Sequence, residues 1–248
     1  MERQTFSKLG LEKAIRKSDF LGIPKLEQEG YREQLLEEAL TSIENNLESF
    51  GNPLFSFQLN GKTVFKIIRP SDKIIERKIT HNLRLAFGVK ASNRSNIIEN
   101  LRLILREGVP FRVYRLDIAK FYESFHREEI EIVLAENFRL SPKSKSILAF
   151  LLKNHSLLGG FGAPRGLPLS SVITEIMMRD FDLKIKNRKN IFFYARYVDD
   201  IIIITAGTES KNTFLSEIKD CLPGGLNLNS EKLEVSSKVE HLLKVRID

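Results

Sequence analysis

The stretch Phe192-Phe193-Tyr194-Ala195-Arg196-Tyr197-Val198-Asp199-Asp200-Ile201-Ile202-Ile203-Ile204 constrains the fold more than any other part of the chain. Aromatic and β-branched residues on both sides favour extended strands, and two adjacent acids fall where a tight hairpin would turn. Two carboxylates inside one continuous buried strand would be very costly, whereas at a hairpin tip they face solvent or a ligand. Adjacent carboxylates repel each other unless a proton or a cation sits between them. Hard oxygen donors of this kind suit Mg²⁺ or Mn²⁺. Acidic pairs are also common in ordinary turns, so the pair alone does not choose between a metal site and a solvated loop.

The 248 residues suffice for one substantial domain or two intimate lobes, and 42% hydrophobic with 29% charged residues is a soluble globular profile. Lys plus Arg number 39 against 32 Asp plus Glu, a formal charge of +7. The excess is uneven: residues 66–115 hold twelve basic and four acidic residues, while the first fifty hold seven and ten. A polyanionic partner such as nucleic acid or nucleotide suits that block, as does a solvated helix face. The lone Cys221 excludes an internal disulfide and a cysteine-based zinc site, and it reads as a buried helix-end residue. No apolar run reaches the roughly 18 residues of a membrane span, and the N-terminus lacks the apolar core of a signal peptide. A reducing, cytoplasmic location without membrane contact is the expectation. The histidines His81, His126, His155 and His241 show no metal-ligand spacing.

Along the chain, Leu35, Leu36, Ala39, Leu40, Ile43 and Leu47 lie near helical spacing and predict a helix over 25–49, ended by Gly51-Asn52-Pro53. Residues 55–69 predict a hairpin turning at Asn60-Gly61. Helices are expected over 70–87, starting at Pro70, and over 94–107, then a strand over 113–118 and helices over 127–137 and 142–155. The Gly-rich loop 159–162 leads to a helix over 170–186, the acidic hairpin, a helix over 210–222 and a last strand over 226–235. This order describes an α+β fold with a mostly antiparallel sheet backed by helices.

A third acid, Asp117, closes the apolar strand of Tyr114-Arg115-Leu116-Asp117-Ile118-Ala119-Lys120-Phe121-Tyr122-Glu123-Ser124-Phe125. An Asp there can cap the following helix. It also stands far enough before Asp199 for the chain to return to an adjacent strand, which would bring three carboxylates to one edge of the sheet. Such a site can hold two cations about 3.5–4 Å apart.

These residues carry a resemblance. Tyr197-Val198-Asp199-Asp200 resembles the metal-binding hairpin of reverse transcriptases, and Leu116-Asp117-Ile118 with Phe121-Tyr122 and Ser124-Phe125 resembles their first catalytic motif. Pro164-Arg165-Gly166-Leu167-Pro168-Leu169-Ser170 is similar to the loop and helix start that support template and incoming nucleotide. Leu226-Asn227-Leu228-Asn229-Ser230-Glu231-Lys232 is similar to the later palm motif ending in lysine. The match runs in the family's order over roughly residues 60 to 235.

The resemblance implies right-hand polymerase fingers and palm, with an N-terminal helical region and fingers over 1–112 and the palm over 113–248, part of the fingers returning at about 127–160. It implies Asp117, Asp199, Asp200 and the Ile118 carbonyl as ligands of Mg²⁺ or Mn²⁺. Tyr122 would be a steric gate selecting deoxynucleotides; Lys66 or Arg69, with Arg165 and Gly166, would meet the nucleotide, and Lys232 would protonate or steady pyrophosphate. The partners implied are deoxynucleoside triphosphates, an RNA template or non-coding RNA, and a DNA product.

Two departures stand out: family members usually carry glutamine at the position of Arg165, and many carry an acid or amide at Lys120. The chain stops at Leu242-Leu243-Lys244-Val245-Arg246-Ile247-Asp248, about where the family's primer-grip hairpin and helical thumb begin, so the expectation is a missing thumb: either a truncated form or a partner or oligomer that supplies thumb functions. The Pro164–Ser171 motif, with Glu175-Ile176 and Phe181-Asp182, most resembles bacterial abortive-infection and other defence-associated members. The expectation is a DNA polymerase of antiphage defence, templated or untemplated. A catalytically silent nucleic-acid-binding scaffold and an RNA-dependent RNA polymerase are the alternatives.

Overall fold

The structure is a computed structural model describing residues 4–45, 47, 51–90, 93–107 and 109–237. The described chain opens with α1 (Lys8–Glu12), α2 (Lys17–Gly22) and α3 (Glu29–Glu44). A hairpin of β1 (Leu54–Leu59) and β2 (Lys62–Ile67) precedes α4 (Pro70–Phe87) and α5 (Arg94–Ile104). Then come β3 (Arg112–Asp117), the short α6 (Phe121–Ser124), α7 (Arg127–Glu136), α8 (Pro142–Leu157) and α9 (Pro168–Lys186). β4 (Ile191–Tyr197), β5 (Asp200–Thr205), α10 (Lys211–Asp220) and β6 (Glu234–Ser236) follow. The mixed helix and strand composition with antiparallel sheets is the α+β class that the sequence predicts. No helix among the described residues is long and apolar enough to cross a membrane.

Two compact units divide the chain, one of Met1–Val89 with His126–Ile173 and the other of Lys90–Phe125 with Thr174–Asp248. In the first, α4 is the central helix, in contact with α1, α3, α8 and β2. It starts at Pro70, whose missing N–H costs nothing at a first helical position, and stops at Gly88 in the left-handed region (φ 62°). Ile74, Ile75, Ile79 and Leu83 recur at helical spacing and are buried. The β1–β2 turn falls on Asn60 (φ 51°) and Gly61 (φ 71°), the residue types that tolerate two positive φ angles in succession.

In the second unit, four antiparallel strands lie in the order β4-β5-β3-β6. Ile201, Ile202, Ile203 and Ile204 are all buried, so β5 is covered on both faces; hence its sequence is an unbroken apolar run instead of an alternation. Val113, Ile202 and Ile204 pack with Ile98, Leu101 and Ile104 of α5. Tyr114 stacks against Phe214 of α10, with ring centroids 4.6 Å apart.

Three expectations need correction. The helix predicted over 25–49 is shorter: Pro24–Glu27 form a 3₁₀ turn, Gln28 is extended, and α3 covers only Glu29–Glu44. Residues 46 and 48–50 lie outside the described residues. α1 and α2 escaped notice because local caps define them, not a long apolar stripe: the Ser7 hydroxyl accepts from the Gly10 N–H, and the Asp19 carboxylate accepts from the Arg16 N–H. The strand predicted over 226–235 is an isolated Ile118–Leu228 bridge, a 3₁₀ turn at Ser230–Lys232 and the short β6. Asn229 causes the break, because its side chain accepts from the Glu231 N–H and folds the backbone into a turn. Cys221 is half-buried at the end of α10.

Candidate active site

The three carboxylates of the second unit are set by strand register. Asp117 ends β3 directly opposite Asp200, the first residue of β5, and Tyr197 of β4 is the other neighbour of Asp200. Val198 and Asp199 make the turn between those strands. The acids therefore divide: Asp199 sits in the turn and Asp200 in the sheet. The Ile118 N–H donates to the Asp199 carbonyl (3.1 Å), stitching the turn to the end of β3.

Val198 is a β-branched residue at φ 57°, a region such residues avoid at a cost of order 1–3 kcal/mol. Arg196 holds it there. The Arg196 guanidinium donates to the Val198 carbonyl (2.9 Å), to both oxygens of Glu175 (2.9 and 2.8 Å) and to both oxygens of Asp182 (2.9 and 2.8 Å). The Tyr194 hydroxyl donates to Asp182 as well. The Arg196 side chain is 2% exposed. Burial works against its charge, but the hydrogen bonds to Asp182 and Glu175 outweigh it and raise the guanidinium pKa. Burial, then the Asp182 charge, pushes the Tyr194 phenol up.

Asp117 is nearly buried, and both its oxygens have donors: Asn229 Nδ2 to Oδ1 (3.1 Å) and Lys232 Nζ to Oδ2 (2.9 Å). The Asn229 N–H also donates to the Asp117 carbonyl (2.7 Å), so the segment that departs from the predicted strand carries Lys232 to the acids. Burial, followed by the neighbouring Asp199 carboxylate, pushes the Asp200 carboxyl above its ordinary value; Asp117 adds to this, while Arg115 and Lys232 oppose it. The hydrogen bond to Asp117, backed by the charges of all three acids, raises the Lys232 ammonium. The neighbouring carboxylates that raise Asp200 leave this edge short of positive charge, and the donors there are hard oxygens, the kind that suits a divalent ion such as Mg²⁺. Among the described residues, no three such side chains stand at metal-binding spacing.

Tyr122 is half-buried beside the fully buried Phe121, their ring centroids 5.5 Å apart. Lys66, Arg69, Arg165 and Gly166, also predicted to meet the nucleotide, belong to the first unit. Lys66 lies on β2 over the rings of Phe55 and Phe57 (5.4 and 5.2 Å to the centroids). Arg69 donates from Nε to the buried Asp72 (2.8 Å). The Arg165 carbonyl accepts from the Phe65 N–H (2.8 Å). Gly166 has φ 100°, and a Cβ there would stand 2.5 Å from Val64 Cγ1 and 2.6 Å from the Phe65 carbonyl, so this glycine is required by the close approach of the loop to β2.

Against known families, the reverse transcriptase (RNA-dependent DNA polymerase) family matches residues 33–243. The chain belongs to that family. A search of curated proteins found no match. Among solved structures, this chain is similar to telomerase from Candida tropicalis in complex with a fragment of telomeric RNA, with TM-score 0.50 and 13% identity over 75% of this chain and 40% of that one. The corresponding Candida albicans structure matches with TM-score 0.42 and 16% identity over 66% and 34%. The chain thus spans well under half the length of those telomerases.

The sequence reading missed the Arg196 cluster, in which Glu175 and Asp182 hold the arginine, and it missed Glu76. The cluster was detectable: Glu175 and Asp182 lie seven residues apart on α9, hence on one face, and an arginine stands three residues before Asp199. Glu76 was not, because its carboxylate accepts the Leu169 N–H (2.7 Å) from a segment remote in sequence. His126 is the residue at the N-cap of α7, without a side-chain capping hydrogen bond. His241 and residues 242–248 lie outside the described residues.

Proposed function

We propose that this chain is an RNA-directed DNA polymerase of bacterial antiphage defence that joins deoxynucleotides to a growing strand. The observation carrying this reading is the register that sets Asp117 against Asp200 with Asp199 in the adjoining turn. Asp117, Asp199, Asp200 and the Ile118 carbonyl would hold the divalent ions. When bound, a Mg²⁺ or Mn²⁺ pair supplies the charge that activates a 3′-hydroxyl and screens departing pyrophosphate. Lys232, protonated and directed at the acids, would steady or protonate that pyrophosphate. Tyr122 would present its ring to the sugar and exclude a 2′-hydroxyl. Lys66, Arg69 and Arg165 would meet triphosphate or template, Gly166 bringing the loop backbone close. RNA bound in the Candida tropicalis structure supports RNA as a partner class. The defence role rests on the motif variants around Pro164–Ser171 and α9.

The test is incorporation of each labelled deoxynucleotide and ribonucleotide by the purified chain in Mg²⁺ or Mn²⁺, with and without co-purifying RNA. Deoxynucleotide incorporation abolished by Asp199→Ala with Asp200→Ala is the expected result, and its dependence on added RNA separates templated from untemplated synthesis. Ribonucleotide incorporation with deoxynucleotides rejected would make the chain an RNA polymerase. A second reading, a silent nucleic-acid-binding scaffold, is favoured by the Lys232–Asp117 contact, which occupies an oxygen a metal would need. Absence of incorporation under every condition, with RNA still bound, selects it.

A further inference from the structure

Within the first unit, α2, the Pro24–Glu27 turn, α3 and the start of α4 enclose a cavity of about 240 Å³. Its floor is apolar: Leu26, Leu35 and Ile74 are buried there, and the half-buried Ile15, Ile23 and Pro70 complete the walls. The polar residues of the lining separate into a satisfied pair and two groups without partners. Arg77 and Asp19 neutralise each other. Arg77 Nη2 donates to Asp19 Oδ1 (2.8 Å), and Nη1 donates to Asp19 Oδ2 and, at 3.2 Å, to the Ala14 carbonyl. The Arg16 N–H also donates to Asp19 Oδ2 (2.7 Å), and the hydrogen bonding to Arg77 holds the Asp19 carboxyl below its ordinary value. Lys73 and Ser18 line the cavity where it opens to solvent, and their side chains make no hydrogen bond or ion pair among the described residues. With Asp19 set against Arg77, the lining keeps one positive charge, that of Lys73, at the edge of an apolar floor.

We propose that this cavity binds a small amphipathic carboxylate, whose apolar body fills the space over Leu26, Leu35 and Ile74 and whose carboxylate meets the Lys73 ammonium and the Ser18 hydroxyl. Size sets the body: an apolar cavity of about 150 Å³ takes benzene, so this larger one takes a ring with a short chain attached. Charge sets the head. One ammonium balances one carboxylate, and a more highly charged group such as phosphate would be repelled by Asp19 on the same wall. Apolar walls with a few placed polar groups are the usual make-up of a small-molecule site, burial giving affinity and the polar groups fixing orientation. Every residue lining the cavity falls between Ile15 and Arg77, so none is shared with Asp117, Asp199, Asp200 or Lys232. The inference therefore stands whether or not the chain polymerises DNA.

The experiment follows the isoleucine δ1 methyl groups of the full chain by NMR as 4-phenylbutyrate is added, with its neutral counterpart 4-phenyl-1-butanol and inorganic phosphate titrated separately. The acid is expected to move the methyls of Ile15, Ile23 and Ile74 saturably and to leave those of Ile201, Ile202, Ile203 and Ile204 in place. It is expected to bind about tenfold more tightly than the alcohol, the difference that a charge-assisted hydrogen bond makes. Lys73→Met changes an exposed side chain and leaves the floor intact, so it is expected to abolish that preference while binding the alcohol as the parent does. Phosphate is expected to move none of these methyls. Absence of a saturable shift at Ile15, Ile23 and Ile74 up to about 10 mM acid, enough to fill a millimolar site, overturns the proposal. Equal binding of acid and alcohol by the parent overturns it too, as does a preference for the acid that survives in Lys73→Met, or phosphate acting as the acid does. The comparison of acid with alcohol needs no variant, so it decides the matter even where Lys73→Met does not fold.

Discussion

Arg196 is the side chain on which the acidic turn depends. Its guanidinium links three elements: α9 through Glu175 and Asp182, its own strand, and the Val198 carbonyl of the strained turn. Replacing it by Met leaves two half-buried carboxylates, Glu175 and Asp182, without their cation and frees a valine held at positive φ. Removing one partner of a buried ion pair costs about 3–5 kcal/mol, so Arg196→Met is expected to lower the unfolding midpoint in urea markedly. Arg196→Lys should recover part of that stability but little activity. One ammonium cannot serve both carboxylates and the Val198 carbonyl with the planar fork arginine offers. Equal recovery of stability and of deoxynucleotide incorporation by Lys would show that charge alone suffices and that the turn does not need its tether. The sequence made Asp117, Asp199 and Asp200 legible because strand-ending acids and an acidic pair are rare among apolar runs. The arginine is legible only through its partners, since a lone cation in a strand has no period to mark it and Glu175 and Asp182 on one face of α9 are what point to it.

At the scale of elements, helices with strong caps and apolar stripes were the most legible. α4 runs from Pro70 to Phe87 as predicted, and the Asn60-Gly61 hairpin is where its turn chemistry places it. The segment after Leu226 was misread because alternating Leu and Asn imitates a half-buried strand; what decides its path is the Asn229 cap and the bonds from Asn229 and Lys232 to Asp117. Such long-range polar contacts leave no local pattern. Glu76 is the same case inside α4: nearly buried, it accepts from Leu169 at the start of α9 and from the Thr80 hydroxyl. Burial pushes its carboxyl above the ordinary value of 4.5, and those hydrogen bonds only partly offset that. An acid whose pKa is higher folded than unfolded favours the native state most when protonated. Its contribution is full below pH 4.5 and is lost as pH rises through the higher folded value. Glu76→Gln should therefore gain stability relative to the parent between pH 4 and pH 7. Its amide nitrogen would face the Leu169 N–H only if it flips, so the oxygen is expected to keep that bond. Urea midpoints of parent and variant across this pH range check the sign; a difference that does not change with pH would mean that Glu76 titrates normally in the folded chain.

For the whole molecule, the two units each gather distant parts of the chain, and that is the least legible level of all, since nothing in residues 90–125 or 174–237 announces which segments they will join. The division nonetheless gives a way to locate the metal. Asp117, Asp199, Asp200 and Lys232 all belong to the second unit, while Lys66, Arg69 and Gly166 belong to the first. If divalent ions are held by the three acids, Mn²⁺ must stabilise the second unit by binding its folded form and not its unfolded one, an effect of about 2.7 kcal/mol at a hundredfold excess over Kd. Lys232 has to leave Asp117 Oδ2 for this to occur, so the binding replaces one cation by a stronger one at the same oxygen. Hydrogen exchange with and without Mn²⁺ should then show slower exchange in β3, β4 and β5 and in the Asn229–Lys232 turn, with α3 and α4 unchanged. Asp117→Asn should remove that protection while leaving the metal-free exchange of the first unit as it was. Protection spread evenly over both units, or retained in Asp117→Asn, would place the ion elsewhere and take these carboxylates out of the metal site.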